Sequence, residues 1–111
     1  MGAIRVGHQR AWVVARWAVR YVLDQANLSE FTESLANRIS EAIRIDSGYL
    51  DLEEATPHDR VSFAMHVKRL ADSLVQAGPN SLSTPSMSDS FVASLRELQH
   101  LVETSAEIVA N

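Results

Sequence analysis

The sequence predicts an all-α protein, an antiparallel four-helix bundle built as a single domain of 111 residues. Three observations predict it. Apolar residues recur at steps of three and four in four segments, at about 4–26, 30–46, 57–77 and 89–109. No segment shows a convincing strand alternation. Proline and glycine fall at the joints between the periodic runs, apart from Gly2 and Gly7 near the start.

The first helix is expected over residues 4–26. At about 100° per residue, Ile4, Ala11, Val14, Ala15, Ala18 and Val22 share one side and form a core face. Arg5, Gln9, Arg16 and Arg20 make a polar stripe away from it, while Trp12, Val19 and Leu23 widen the buried side. A second apolar flank remains: Val13 and Trp17, with Val6 and Tyr21, beside Arg10 and Asp24. One apolar stripe satisfies a surface helix, so this flank is either covered within the bundle or contacts a partner.

The second helix starts at Ser29 as N-cap, with Glu30 and Glu33 in the first turn where they favour the helix dipole. Phe31, Leu35, Ile39, Ala42 and Ile43 form its apolar face, and Ser47-Gly48 marks its end. Residues 46–59 then form an acidic connector without clear periodicity. It carries Asp46, Asp51, Glu53, Glu54 and Asp59 and no Lys or Arg.

The third start is the clearest. Thr56 caps a helix whose first residue is Pro57, and Asp59 completes a capping-box arrangement with Asp in place of Glu. Phe63, Val67, Leu70 and Leu74 form the stripe, and Ala77-Gly78-Pro79 ends it. Residues 78–90 are a polar loop by composition. A fourth helix starts near Ser88 or Asp89 and is seamed by Phe91, Leu95, Leu98, Val102, Ser105 and Val109.

Net charge is −4, but it is unevenly spread. Residues 1–23 hold four arginines and no acid, whereas residues 24–111 hold six basic and fourteen acidic residues. The N-terminal arginines break any apolar run, which argues against a signal peptide and a membrane span and for a cytoplasmic protein. Four cations on an acidic chain are too few for lipid adsorption or nucleic-acid binding. The chain has no cysteine, which removes disulfides, thiol catalysis and cysteine-ligated zinc.

Catalytic parts are scarce. His8, His58, His66 and His100 show no three- or four-residue spacing of the kind helical metal sites use. No serine sits in a nucleophile elbow, and no glycine loop is built to cradle phosphate. No cofactor or metal is expected.

One pattern resembles a known element. Arg60-Val-Ser-Phe-Ala-Met-His66 is similar to the R-x(4–6)-H element of HEPN-type helical ribonucleases, over seven residues and with Val61 where that element often has a polar residue. The resemblance implies a dimeric, metal-independent ribonuclease in which Arg60 binds phosphate and His66 transfers protons.

The leading expectation is a non-enzymatic protein-binding module, a small acidic helical inhibitor or adaptor of the immunity-protein or anti-defence type. Its expected contacts are Arg10, Val13, Arg16, Trp17 and Arg20 on the first helix and Asp51, Glu53 and Glu54 on the connector. Tryptophan and arginine often dominate interface energies, and acidic patches select basic partners. Internal pairing of the acids with the N-terminal arginines is the competing use. A homodimer or an obligate subunit would satisfy the same flank.

Overall fold

The computed structural model describes the backbone of residues 2–7, 10–77 and 85–110, and the side chains of 2–7, 10–76 and 90–104. It corrects the fold class. The protein is not an all-α helical bundle: a three-stranded sheet lies against its helices. The strands are β1 (Gly2–Gly7), β2 (Arg10–Val14) and β3 (Tyr49–Asp51). The helices are α1 (Arg16–Asp24), α2 (Glu33–Ile45), α3 (Pro57–Ala77) and α4 (Pro85–Ala110), with a 3₁₀ turn at Leu28–Glu30. The sheet order is β2-β1-β3, with β1 antiparallel to β2 and parallel to β3.

The expected first helix, 4–26, is therefore a hairpin followed by a nine-residue helix. The reason is a change of period. In β1, Gly2, Ile4 and Val6 are buried while Ala3, Arg5 and Gly7 are half-buried, an alternation of two. Ile4 stands opposite Trp12 and Ala3 opposite Val13. Ala15 remains extended (φ −63°, ψ 149°) and the helical period begins only at Arg16. A single helical wheel drawn across all of this mixes two faces of a sheet with one face of a helix. That mixing produced the surplus apolar flank.

The hairpin is irregular at one point. The register passes from Arg5 opposite Ala11 to Gly7 opposite Arg10, so Val6 is an extra residue on β1. Its carbonyl accepts a hydrogen bond from Arg60 Nη1 at 2.6 Å.

The acidic connector, expected to lack periodicity, contains β3. Gly48 (φ 68°) and Asp46 (φ 50°) both take left-handed conformations that turn the chain from α2 into the strand. Gly2 permits the close approach that follows: a Cβ there would lie 2.7 Å from the Gly48 carbonyl oxygen and 2.8 Å from Val19 Cγ2.

Two helix starts also differ from expectation. Ser29 lies in the 3₁₀ turn, capped by Asn27, while α2 is capped by Thr32. The Thr32 hydroxyl donates to Asp59 Oδ2 (2.5 Å) and accepts weakly from the Leu35 N–H (3.5 Å). Helix α4 begins at Pro85 within the segment expected as loop. Residues 78–84 of that loop, and the side chains of Ser105 and Val109, lie outside the described residues.

Helix α3 starts and stops at Pro57 and Ala77. The Thr56 hydroxyl accepts from the Asp59 N–H at 3.1 Å, the geometry of a cap.

The inner face of the sheet carries Ile4, Val6, Trp12 and Leu50 into one buried cluster with Val19, Val22, Ile39, Phe63, Val67, Leu95 and Leu98. Each fully buried aliphatic side chain contributes about 1.5–3 kcal/mol. Helix α1 packs on β1, α4 beneath β1 and β2, α3 along α4, and α2 beside β3. Trp12 joins sheet to helix: its indole N–H reaches the Ser94 carbonyl (2.9 Å) and hydroxyl (3.0 Å).

Candidate functional site

The helices pack on the inner side of the sheet or beside β3, and among the described residues nothing covers the outer face at Val13 and Tyr49. Across it the register sets Val13, Ala3 and Tyr49 in one row, and Ala11, Arg5 and Asp51 in the next. Val13 is 56% exposed and Tyr49 46%. Tyr49 continues into a groove of about 590 Å³ between α2 and β3, where it meets Ala42 and the exposed Ile45. An apolar row thus crosses the sheet and ends in an apolar groove.

The second row is charged and internally paired. Arg5 contacts Glu53 at 3.0 Å and Asp51 at 4.0 Å, and Arg38 contacts Glu54 at 3.2 Å. Each of the three acids expected to meet a partner is therefore paired within the chain, Asp51 and Glu53 with Arg5 and Glu54 with Arg38. These exposed pairs contribute little to stability. Their effect is to leave the apolar row as the distinctive part of the face.

The two free edges of the sheet differ. Ala3 N donates to the Gly48 carbonyl (2.8 Å) and Leu52 N to the Arg5 carbonyl (2.7 Å), so the main-chain groups of Ala3 and Arg5 face β3. Alternation turns those of Gly2 and Ile4 towards β2, where they meet Val14 and Trp12. Ala11 and Val13 consequently point their N–H and C=O groups away from the sheet. Among the described residues nothing hydrogen-bonds to them. On β3 the outward residues are Tyr49 and Asp51, and here side chains intervene. The Ser47 hydroxyl accepts from Tyr49 N–H and donates to Tyr49 C=O, both at 3.2 Å, and Arg38 reaches the Asp51 carbonyl at 3.4 Å.

The structure disperses the residues expected on one helix face. Val13 lies on the outer sheet face, opposite Ala3. Trp17 stands at the start of α1, 43% exposed, with its ring 5.1 Å from that of Phe91, which also meets Tyr21 at 5.4 Å. Arg16 is exposed and its side chain lies over Gly48. Arg20 is held by Asp24 (2.9 Å) and Asp46 (3.1 Å). Arg10 is exposed at the start of β2. No comparison finds a relative: no family model, no curated protein and no solved structure matches the chain.

Arg60 and His66 face inwards. Arg60 is 2% exposed and, among the described residues, its guanidinium donates to the carbonyls of Val6 (2.6 Å), Glu53 (2.5 Å) and Ala55 (3.1 Å). Burial lowers its pKa from the ordinary arginine value, against the opposing pull of Asp51 and Glu53. His66 is 4% exposed, with Nε2 2.9 Å from the Val22 carbonyl. A carbonyl only accepts, so Nε2 carries the proton. Burial lowers the pKa of this ring, and Arg69 adds to that. Both groups are engaged by main-chain carbonyls that connect elements of the fold. His58 and His100 are exposed. Among the described residues no cluster of histidine and acid side chains is placed to hold a metal ion, and no helix is long and apolar enough to cross a membrane.

Sequence reasoning missed Ala3, Ala11, Ile45, Ser47 and Tyr49. The signal for Ala3 was the alternation in Gly2-Ala-Ile-Arg-Val-Gly7, and for Ala11 the exposed-buried-exposed run Ala11-Trp-Val13. For Tyr49 it was the short alternating run Tyr49-Leu-Asp-Leu52, where Leu50 and Leu52 are buried and Tyr49 is not.

Proposed function

We propose that the chain acts by binding another protein, which it blocks or positions, and that the outer sheet face is where it does so. One observation carries the reading: an uncovered apolar row, Val13–Ala3–Tyr49, continues into the groove beside Ile45 and Ala42. Exposed apolar surface gathered into one patch beside a concavity is a common mark of a binding site, unlike scattered apolar residues. The partner presents an apolar segment. The paired charges of Arg5, Asp51 and Glu53 form the polar rim. On this reading the contact uses the sheet face and its groove, with Val13 on the apolar row and Asp51 and Glu53 at the rim from the expected set.

The test is capture of a partner from the source cell by the native chain and by Tyr49→Glu and Ile45→Glu variants. Both positions are about half exposed, so folding survives, as circular dichroism and the melting temperature will verify. The expected result is a partner retained by the native chain and lost by both variants. A partner retained equally by both variants would place binding on another surface.

A further inference from the structure

The β2 edge, open among the described residues, shares Val13 with the outer face but offers main-chain groups rather than an apolar row, and it points to a different occupant. We propose that a second copy of this chain pairs with it, β2 against β2 in antiparallel register about a two-fold axis at Trp12, joining two three-stranded sheets into one.

The register follows from the main chain. Only Ala11 and Val13 turn their hydrogen-bonding groups outwards. With the axis at Trp12, Ala11 of each copy lies opposite Val13 of the other and exchanges both main-chain bonds with it. An axis at Ala11 or at Val13 leaves one outward residue of each copy without an outward counterpart. The side chains agree with the same register. Ala11 and Val13 are exposed on the outer face and meet as small and β-branched partners across the junction. Arg10, the one charge on β2, falls opposite Val14 and faces no like charge.

The contrast with β3 is the second support. Exposed edges are commonly blocked by lysine, proline, bulges or covering side chains. On β3, Ser47 covers the N–H and C=O of Tyr49 and Arg38 the C=O of Asp51, three of the four outward groups. On β2 there is no proline and no lysine, and the bulge of this hairpin lies on the other strand, at Val6. Helix α4 lies beneath both β1 and β2, so it supports the strand from the inner face. Pairing through a strand edge is an isologous contact, the commonest way two identical chains associate.

The test is absolute mass in solution by sedimentation equilibrium over a range of concentrations, on the native chain and three variants. Val13→Pro removes only an outward N–H, a change an edge strand tolerates. Ala11→Glu with Val13→Glu sets carboxylate against carboxylate twice across the axis. Ala11→Lys with Val13→Glu sets opposite charges there instead. The expected masses are twice the chain for the native protein and the Lys/Glu pair, and one chain for Val13→Pro and the Glu/Glu pair. Tyr49→Glu is expected to stay dimeric, which separates this edge from the partner-binding face. A native chain that is monomeric at every concentration overturns the proposal. So does a dimer that persists in the Glu/Glu variant. If Val13→Pro fails to fold, the two charge pairs still decide the register.

Discussion

The Ser47 hydroxyl bridges the main chain of Tyr49, accepting from its N–H and donating to its C=O at 3.2 Å each. Both outward groups of Tyr49 on this three-residue edge strand are thereby occupied by a side chain two residues away. Ser47→Ala removes both bonds and leaves the two groups to water. The expected cost is about 1–2 kcal/mol, since the groups are exposed enough to be solvated. Chemical denaturation measures it, and the Tyr49 amide should exchange its proton faster in the variant.

Asp59 links two helix starts. Its carboxylate accepts from the Thr32 N–H at 2.9 Å and from the Thr32 hydroxyl at 2.5 Å, and it is 1% exposed. Thr32 in turn caps α2, so the N-termini of α2 and α3 share one network. Asp59→Ala and Thr32→Val should therefore be strongly non-additive. A double-mutant cycle is expected to give a coupling of about 1–3 kcal/mol. Additive effects would mean that the two residues stabilise the fold independently.

Arg60 holds β1 and the connector to α3 through the carbonyls of Val6, Glu53 and Ala55. Arg60→Met preserves much of the stem but leaves the carbonyls of Val6, Glu53 and Ala55 without their donor. The expected loss is about 2–4 kcal/mol of stability, with the largest gain in amide exchange at the β1–β2 hairpin. An unchanged denaturation midpoint would contradict this structural role.

His66 gives the chain a defined acid sensitivity. Burial holds its folded pKa below the ordinary histidine value, so below about pH 6.5 the unfolded chain takes up the proton first. Stability from this residue is complete above that value and is lost as pH falls, at up to about 1.4 kcal/mol per pH unit. The loss ceases once pH passes below the folded pKa. Denaturation of the native chain and of His66→Gln between pH 7.5 and pH 5, a range that spans the free histidine pKa of about 6.5, should show a shallower pH dependence in the variant. Parallel slopes would mean that His66 does not titrate differently on folding.

Legibility in the sequence followed the length of each repeat. Helix α3 was readable because Thr56-Pro57 and Gly78-Pro79 punctuate a stripe of Phe63, Val67, Leu70 and Leu74, all buried. The N-terminal hairpin was not. Ile4 and Val6 alternate with Arg5, and Trp12 alternates with Val13, but each run is short. Ala11, Val14, Ala15, Ala18 and Val22 also satisfy a helical wheel. Nothing local separates the two readings; the pairing of β1 with β3, distant in sequence, decides between them. The same holds for the site. Val13 was visible as surplus apolar surface, whereas Ala3 and Tyr49 become its neighbours only through sheet register. Trp17 was singled out by residue type, yet its ring lies against Phe91, far along the chain.

Residues 2–14 form a hairpin whose β2 strand has one satisfied side and, among the described residues, one open side. Residue-resolved amide hydrogen exchange, at a concentration where sedimentation shows the chain to be monomeric, is the decisive measurement. The expected pattern alternates: the Trp12 and Val14 amides, turned towards β1, exchange slowly, while those of Ala11 and Val13 exchange fast. Uniform protection from Arg10 to Val14, as a continuous helix or a covered edge would give, would contradict it.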